Sequence, residues 1–165
     1  GGTMAISTGE RLPEASLMRV GENGPETVPL APMLAGRRVV VFGVPGAYTG
    51  TCTTAHVPSF IRTRDDLMAR GVDEIVCVAV NAPFVMKAWG ESTGAAAAGI
   101  TMLADPASDF TRAIGLAFSA PAVGFADRSR RYAMLVEDGV VRVLHVEESP
   151  GTCDVSGGES MLAAL

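Results

Sequence analysis

The sequence predicts an α/β protein with a central mixed sheet and helices on both of its faces. Three observations carry this expectation. Two apolar, β-branched stretches, residues 38–44 and 73–80, bracket a stretch with helical spacing. The dipeptide Asp138-Gly139 separates two strand-like stretches, 132–136 and 140–146, as a tight antiparallel turn requires. A short apolar helical stretch, 160–165, closes the chain.

Residues 38–44 (RVVVFGV) and 73–80 (DEIVCVAV) are nearly continuous in apolar side chains, as strands covered on both faces should be. Between them Phe60, Ile61, Arg64, Leu67 and Met68 recur at helical spacing, and Gly71 follows as a stop signal. A strand, helix, strand order calls for parallel pairing. A second helix is expected over 84–91, a short strand over 100–103, and a helix over 108–114 with Ser108 as its N-cap. The alanine run 94–99 reads as a helix end or a surface loop. No internal repeat is present, and the lone Trp89 reads as packing.

With 165 residues, 48% of them hydrophobic, the chain can bury one full core, so residues 4–165 are expected to form a single domain. Gly1-Gly2-Thr3 ahead of Met4 reads as a remnant of an expression vector, with the native chain expected to start at Met4. The 18 acidic and 13 basic residues are scattered and give a net charge of -5, with no basic stripe for a nucleic-acid backbone. No apolar run approaches the roughly 18 residues needed to span a bilayer, and a signal-peptide pattern is absent. A cytoplasmic protein with neither a membrane nor a nucleic-acid partner is expected.

Cys52, Cys77 and Cys153 lie too far apart for a small disulfide scaffold or a paired zinc-ligand spacing. In a reducing compartment that leaves buried or reactive thiols. The most informative stretch, 44–58 (VPGAYTGTCTTAHVP), runs from a strand end through a glycine-containing loop into a helix start. Cys52 falls in or near the first helical turn, where free backbone N–H groups and the helix dipole favour an anion and hence the nucleophilic thiolate. Thr49 precedes it by three residues, so its hydroxyl can address the thiolate or a bound oxygen, and Pro45 can screen the sulfur from water. A lone buried cysteine is the commoner case, but Thr49, Thr51, Thr53 and Thr54 make poor core material and point to an accessible turn or a pocket lining. His56 lies one turn beyond Cys52 and is read as a packing residue, since one Cys and one His make an incomplete metal site.

Pro45-x-x-x-Thr49-x-x-Cys52 resembles the peroxidatic signature of the peroxiredoxins, and PGAYTGTCTTAHVP resembles in particular that of the type II, or peroxiredoxin-five, subfamily. The similarity continues through DEIVCVAVNAPFVMKAWG (73–90), DRSRRYAMLVEDGVV (127–141) and the terminal ESMLAAL, and so covers nearly the whole chain. It implies a thioredoxin-like fold, reduction of hydrogen peroxide and alkyl hydroperoxides through a cysteine sulfenic acid, a part in antioxidant defence, a homodimer, and no metal, haem or flavin cofactor. By position it makes Cys52 the peroxidatic cysteine, Thr49 its hydroxyl partner, Pro45 the shield and Arg131 the activating arginine. The chemistry needs such a cation, because attack on an O–O bond develops negative charge on the leaving oxygen. Arg128 and Arg130 compete with Arg131, and strand alternation lets at most one of Arg130 and Arg131 face the site. Gly50 stands where the subfamily usually has proline, and Ala82 where an acidic residue is common.

A second thiol must then reduce the sulfenic acid. Cys153, in the polar, turn-rich SPGTCD loop, is the better internal candidate for a resolving cysteine; Cys77, mid-strand in an apolar run, is the lesser one. Some members of the subfamily have a resolving cysteine in this C-terminal region, whereas others rely on glutathione and glutaredoxin, so thioredoxin and the glutathione system are both candidate reductants. Two rivals share the fold: a disulfide oxidoreductase, opposed by Thr49 standing where the first cysteine of Cys-x-x-Cys would be, and a non-catalytic binding or chaperone module.

Overall fold

The computed structural model describes residues 4–165; the expectation placed on Gly1-Gly2-Thr3 lies outside the described residues. The elements are, in chain order, strands β1 (Ser16–Gly21) and β2 (Gly24–Pro29), helix α1 (Leu30–Leu34), β3 (Arg38–Val44), α2 (Val57–Ala69), β4 (Glu74–Ala79), α3 (Pro83–Thr93), β5 (Thr101–Ala104), α4 (Asp109–Ala113), β6 (Ala117–Ala120), β7 (Phe125–Ser129), β8 (Tyr132–Glu137), β9 (Val140–Val146) and α5 (Gly158–Ala163). Seven strands form one sheet in the order β2-β1-β5-β4-β3-β8-β9, and β6 with β7 forms a separate two-stranded ribbon. The pairs β3/β4 and β4/β5 are parallel; β8 and β9 add antiparallel to one side and β1 to the other. This is the expected mixed sheet.

Side-chain alternation along β3 divides the interior in two. Val40, Phe42 and Val44 join Phe60 and Leu67 of α2, Met86 and Trp89 of α3 and Met161 of α5 on one face. Val39 and Val41 point the other way, toward Leu30 and Leu34 of α1, Phe110 of α4 and the adjoining Ile114. The continuous apolar run of β3 is therefore explained by cover on both faces. The Asp138-Gly139 turn is as anticipated, with φ of 48° and 79°, both in the left-handed region that this hairpin needs.

Several boundaries and one cap differ from the sequence reading. Ser108 does not cap α4: it lies at φ 63° and makes no side-chain capping bond. Asp105 does that work, accepting the N–H groups of Phe110 and Thr111 at 3.2 and 2.8 Å and the Thr111 hydroxyl at 2.7 Å. A carboxylate there satisfies two free helix donors and suits the positive end of the dipole. The last helix begins at Gly158 rather than residue 160, because the Gly158 N–H is taken by the Ser59 hydroxyl at 2.9 Å and the backbone packs directly on α2. The β1/β2 hairpin and the β6/β7 ribbon were not anticipated. Their strands are short and mostly half-buried or exposed, so they lack a continuous apolar run.

Gly43 fixes the position of a neighbouring strand. It pairs with Tyr132 across β3/β8, and the Tyr132 ring lies over it so closely that a methyl at residue 43 would collide with the ring. Tyr132 is fully buried and follows Arg131 directly, so this close approach sets where β8 begins. Gly43→Ala is expected to destabilise the fold by about 1–3 kcal/mol through overpacking, read as a lower urea midpoint with an unchanged slope.

Candidate active site

The site forms where β3 ends and the following helix starts. Pro45 is buried at the strand end. Tyr48 takes φ 64°, uncommon for a bulky residue, and reverses the loop. The chain turns helical at Gly50, and over Cys52–His56 the helix widens to a π-type turn in which the Val57 N–H bonds the Cys52 carbonyl. Such a turn carries one residue more than an α turn and is often found at functional sites. Here it brings Cys52 and His56, both fully buried, onto one inward face.

Arg131 meets that face from the start of β8, with only 2% of its surface exposed. Its Nη2 donates to Cys52 Sγ at 3.1 Å and to the Pro150 carbonyl at 2.9 Å; Nε donates to the same carbonyl at 3.2 Å. Its Nη1 donates to His56 Nδ1 at 3.0 Å. Arginine has no acceptor, so Nδ1 must be the unprotonated nitrogen and Nε2–H must donate to the Ser156 carbonyl 2.9 Å away. The imidazole is thus neutral. Burial first, and then the Arg131 charge, push its pKa down to about 3.

The loop after β9 supplies both carbonyls, and Glu147 holds it. One carboxylate oxygen accepts the Val155 and Ser156 N–H groups at 2.8 and 2.7 Å and the Ser156 hydroxyl at 2.6 Å; the other accepts from Thr152 at 3.3 Å. The Glu147 N–H in turn donates to the Arg131 carbonyl at 2.9 Å. Burial works against the Glu147 charge, but these donors outweigh it and hold the carboxyl below its ordinary range.

The structure therefore brings Cys52 and Arg131 together, with Pro45 buried at the end of β3. Arg131 is the arginine that reaches the sulfur: Arg130 turns to the Glu147 carbonyl at 3.2 Å, and Arg128 lies over the Phe125 ring. Thr49 sits beside the site, but its hydroxyl donates to the Gly46 carbonyl at 2.7 Å, leaving its oxygen free only as an acceptor. The threonines are half-exposed or exposed as anticipated, whereas the sulfur itself is covered. Trp89 packs in the core and also donates to the Thr53 hydroxyl at 3.1 Å, tying α3 to the widened turn. All three cysteines are free thiols; Cys77 is fully buried in β4, and burial pushes its pKa well up. Cys153 is half-buried, with its pKa raised for the same reason.

Four contributors escape a reading of the sequence. His56 packs, as expected, but it also orients the guanidinium; its place four residues after Cys52 is the available sign. Glu147, an acid ending an apolar strand before a Ser/Gly/Thr loop, carries a weaker sign, and the Pro150 and Ser156 carbonyls carry none.

The sheet topology is that of a thioredoxin-like fold, and the proteins it matches make the class a thiol-dependent peroxidase. The Redoxin family profile matches residues 7–162. The chain is 46% identical over 164 residues to "Peroxiredoxin-2E-2, chloroplastic" of Oryza sativa subsp. japonica, covering 97% of this chain and 72% of that one. It is 40% identical over 161 residues to "Peroxiredoxin-2C" of Arabidopsis thaliana, covering 97% and 98%. Among solved structures, reduced Prx3 of Vibrio vulnificus in complex with hydrogen peroxide superposes with a TM-score of 0.90 at 45% identity over 96% of this chain and 98% of that one. Peroxiredoxin 5 of Alvinella pompejana gives 0.83 at 31% over 96% and 97%. The chain belongs to the Redoxin family and within it is a type II peroxiredoxin, an antioxidant enzyme that reduces peroxides at the expense of a thiol reductant.

Neutral His56 has a measurable signature. Between about pH 6.5 and pH 3 the unfolded chain binds a proton there that the folded chain does not, so stability falls as pH drops through this window. Urea unfolding at stepped pH should show that slope, and His56→Gln should flatten it above the carboxylate range.

Proposed function

We propose that Cys52 is the peroxidatic cysteine and that Arg131 activates it. The Cys52 thiolate attacks the terminal oxygen of a hydroperoxide; the S–O bond forms as the O–O bond breaks. The leaving alkoxide or hydroxide takes up a proton and departs as alcohol or water, and the sulfur, two electrons poorer, becomes a sulfenic acid. The observation that carries this reading is the 3.1 Å contact from Arg131 Nη2 to Cys52 Sγ within a guanidinium held on its other sides by His56 and the Pro150 carbonyl. A cation fixed in that way stabilises charge developing on the leaving oxygen without reorganising. Thr49, with its proton given to Gly46, presents an oxygen that accepts the O–H of the bound hydroperoxide, and Pro45 excludes water from the sulfur.

Cys153 is the resolving thiol of this proposal. It attacks the sulfenic sulfur, forming the disulfide and releasing water, and thioredoxin or the glutathione and glutaredoxin system reduces the product. Its half-exposed position, in the same loop that supplies Arg131 and His56 with carbonyl acceptors, supports this over Cys77, which has no access to solvent. Cys52 is fully buried, so the widened turn that covers it opens for the two sulfurs to meet. Tyr48, Phe84 and Val123, 56%, 60% and 67% exposed, are large apolar side chains that a homodimer would cover. Three unpaired thiols suit a reducing, cytosolic setting.

Cys52→Ser should abolish peroxide consumption with the fold intact, and Arg131→Met should slow Cys52 oxidation on the order of 100-fold in stopped-flow measurements. Retained activity in the serine variant would overturn the assignment. Cys153→Ser should keep the first oxidation and lose thioredoxin-dependent turnover. Mass spectrometry of the peroxide-treated protein should find a Cys52–Cys153 disulfide; a Cys52–glutathione adduct with Cys153 free would place the resolving thiol outside the chain.

A further inference from the structure

Arg128 is not used by the chemistry above, yet it stands at the site. Its Nη1 lies 3.1 Å from the point a Gly46 Cβ would occupy; the Thr49 methyl is 3.3 Å and the Phe125 ring 3.8 Å from the same point. The missing side chain of Gly46 thus makes room for a guanidinium, a threonine and an aromatic edge to converge on the loop before Cys52. The Arg128 guanidinium lies over the Phe125 ring, 5.3 Å from its centroid. Phe125 meets Phe118 edge to face at 6.1 Å, and Phe118 is the cross-strand partner of Arg128. Stacking on a ring holds the guanidinium plane while leaving its N–H donors unspent.

Among the described residues those donors have no hydrogen-bond acceptor. Among the described residues Arg128 makes no ion pair, whereas eight other basic side chains, Arg19, Arg37, Arg38, Arg62, Arg64, Lys87, Arg112 and Arg142, do. Next to the ribbon a cavity of about 280 Å³ is lined by Phe118, Arg130, Arg131, Glu147, Glu148 and Pro150. The Glu147 carboxylate is engaged by its own loop, and Glu148 pairs with none of these arginines. An unpaired cation beside two aromatic rings, in a chain of net charge -5, is a local match for a molecule with an anionic end and an apolar body.

We propose that Arg128, with Phe118 and Phe125, forms a subsite for the carboxylate and hydrocarbon chain of an organic hydroperoxide, making hydroperoxy acids better substrates than their neutral esters. The inference rests on the peroxidase reading of Cys52 and names the substrate class of that same site. An ion pair at a half-exposed position favours the acid by about fivefold.

The test is the ratio of second-order rate constants for Cys52 oxidation by a short-chain hydroperoxy carboxylic acid and by its methyl ester, at low and high salt. The expected ratio is about five at low salt, falling with added salt. Arg128→Gln brings it to about one, Arg128→Glu takes it below one, and Arg128→Lys restores part of it. Arg142→Gln, a control for net charge remote from the site, leaves the ratio where it was. A wild-type ratio of one, or a ratio that Arg128→Gln and Arg128→Glu do not move, overturns the subsite while the peroxidase stands. If wild type oxidises Cys52 with neither compound nor hydrogen peroxide, the peroxidase reading falls, and the subsite with it.

Discussion

A buried positive charge without a carboxylate to answer it governs this molecule. Arg131 is the largest buried charged side chain in the fold, and its partners are one carbonyl met twice, a neutral imidazole and a sulfur. Removing a guanidinium from water costs several kcal/mol unless every donor is met and a countercharge is near. The carbonyl and imidazole acceptors bring no charge. Of the groups bonded to this guanidinium, Cys52 carries the nucleophilic atom, so the charge stands directly against the sulfur.

Keeping such an arrangement intact requires several independent constraints. The Tyr132 ring on Gly43 sets where β8 begins, and therefore where Arg131 emerges. The widened turn puts Cys52 and His56 on one face, which a regular helix would splay differently. Glu147 binds the loop that brings Pro150 and Ser156 to the other side, while its own backbone N–H anchors Arg131. Helix and loop each contribute separate contacts to one guanidinium, which the chain delivers at the start of β8.

The sheet and its two-sided cover were legible because apolar continuity in 38–44 and 73–80 is a direct print of burial, and Asp138-Gly139 is a direct print of positive φ. The helix N-cap was misread because Ser108 and Asp105 are both credible caps, and only the three-dimensional path of the chain selects between them. At the site, Cys52, Thr49 and Pro45 share one short stretch and could be read together. Arg131 could be placed only by resemblance, since the distance from Cys52 in sequence hides their contact. The carbonyls of Pro150 and Ser156 were out of reach altogether, because any residue can supply a carbonyl and nothing in the side chain announces it.

The β6/β7 ribbon shares no strand ladder with the seven-stranded sheet, although Phe125 and Arg128 lie against the loop that precedes Cys52. With the subsite proposed at Arg128, the sulfur and the residues that select its substrate would stand on separate strand ladders. Substitutions in the ribbon would then change which molecules are admitted without disturbing how an admitted one reacts, and a lineage could explore new diets on an unaltered engine.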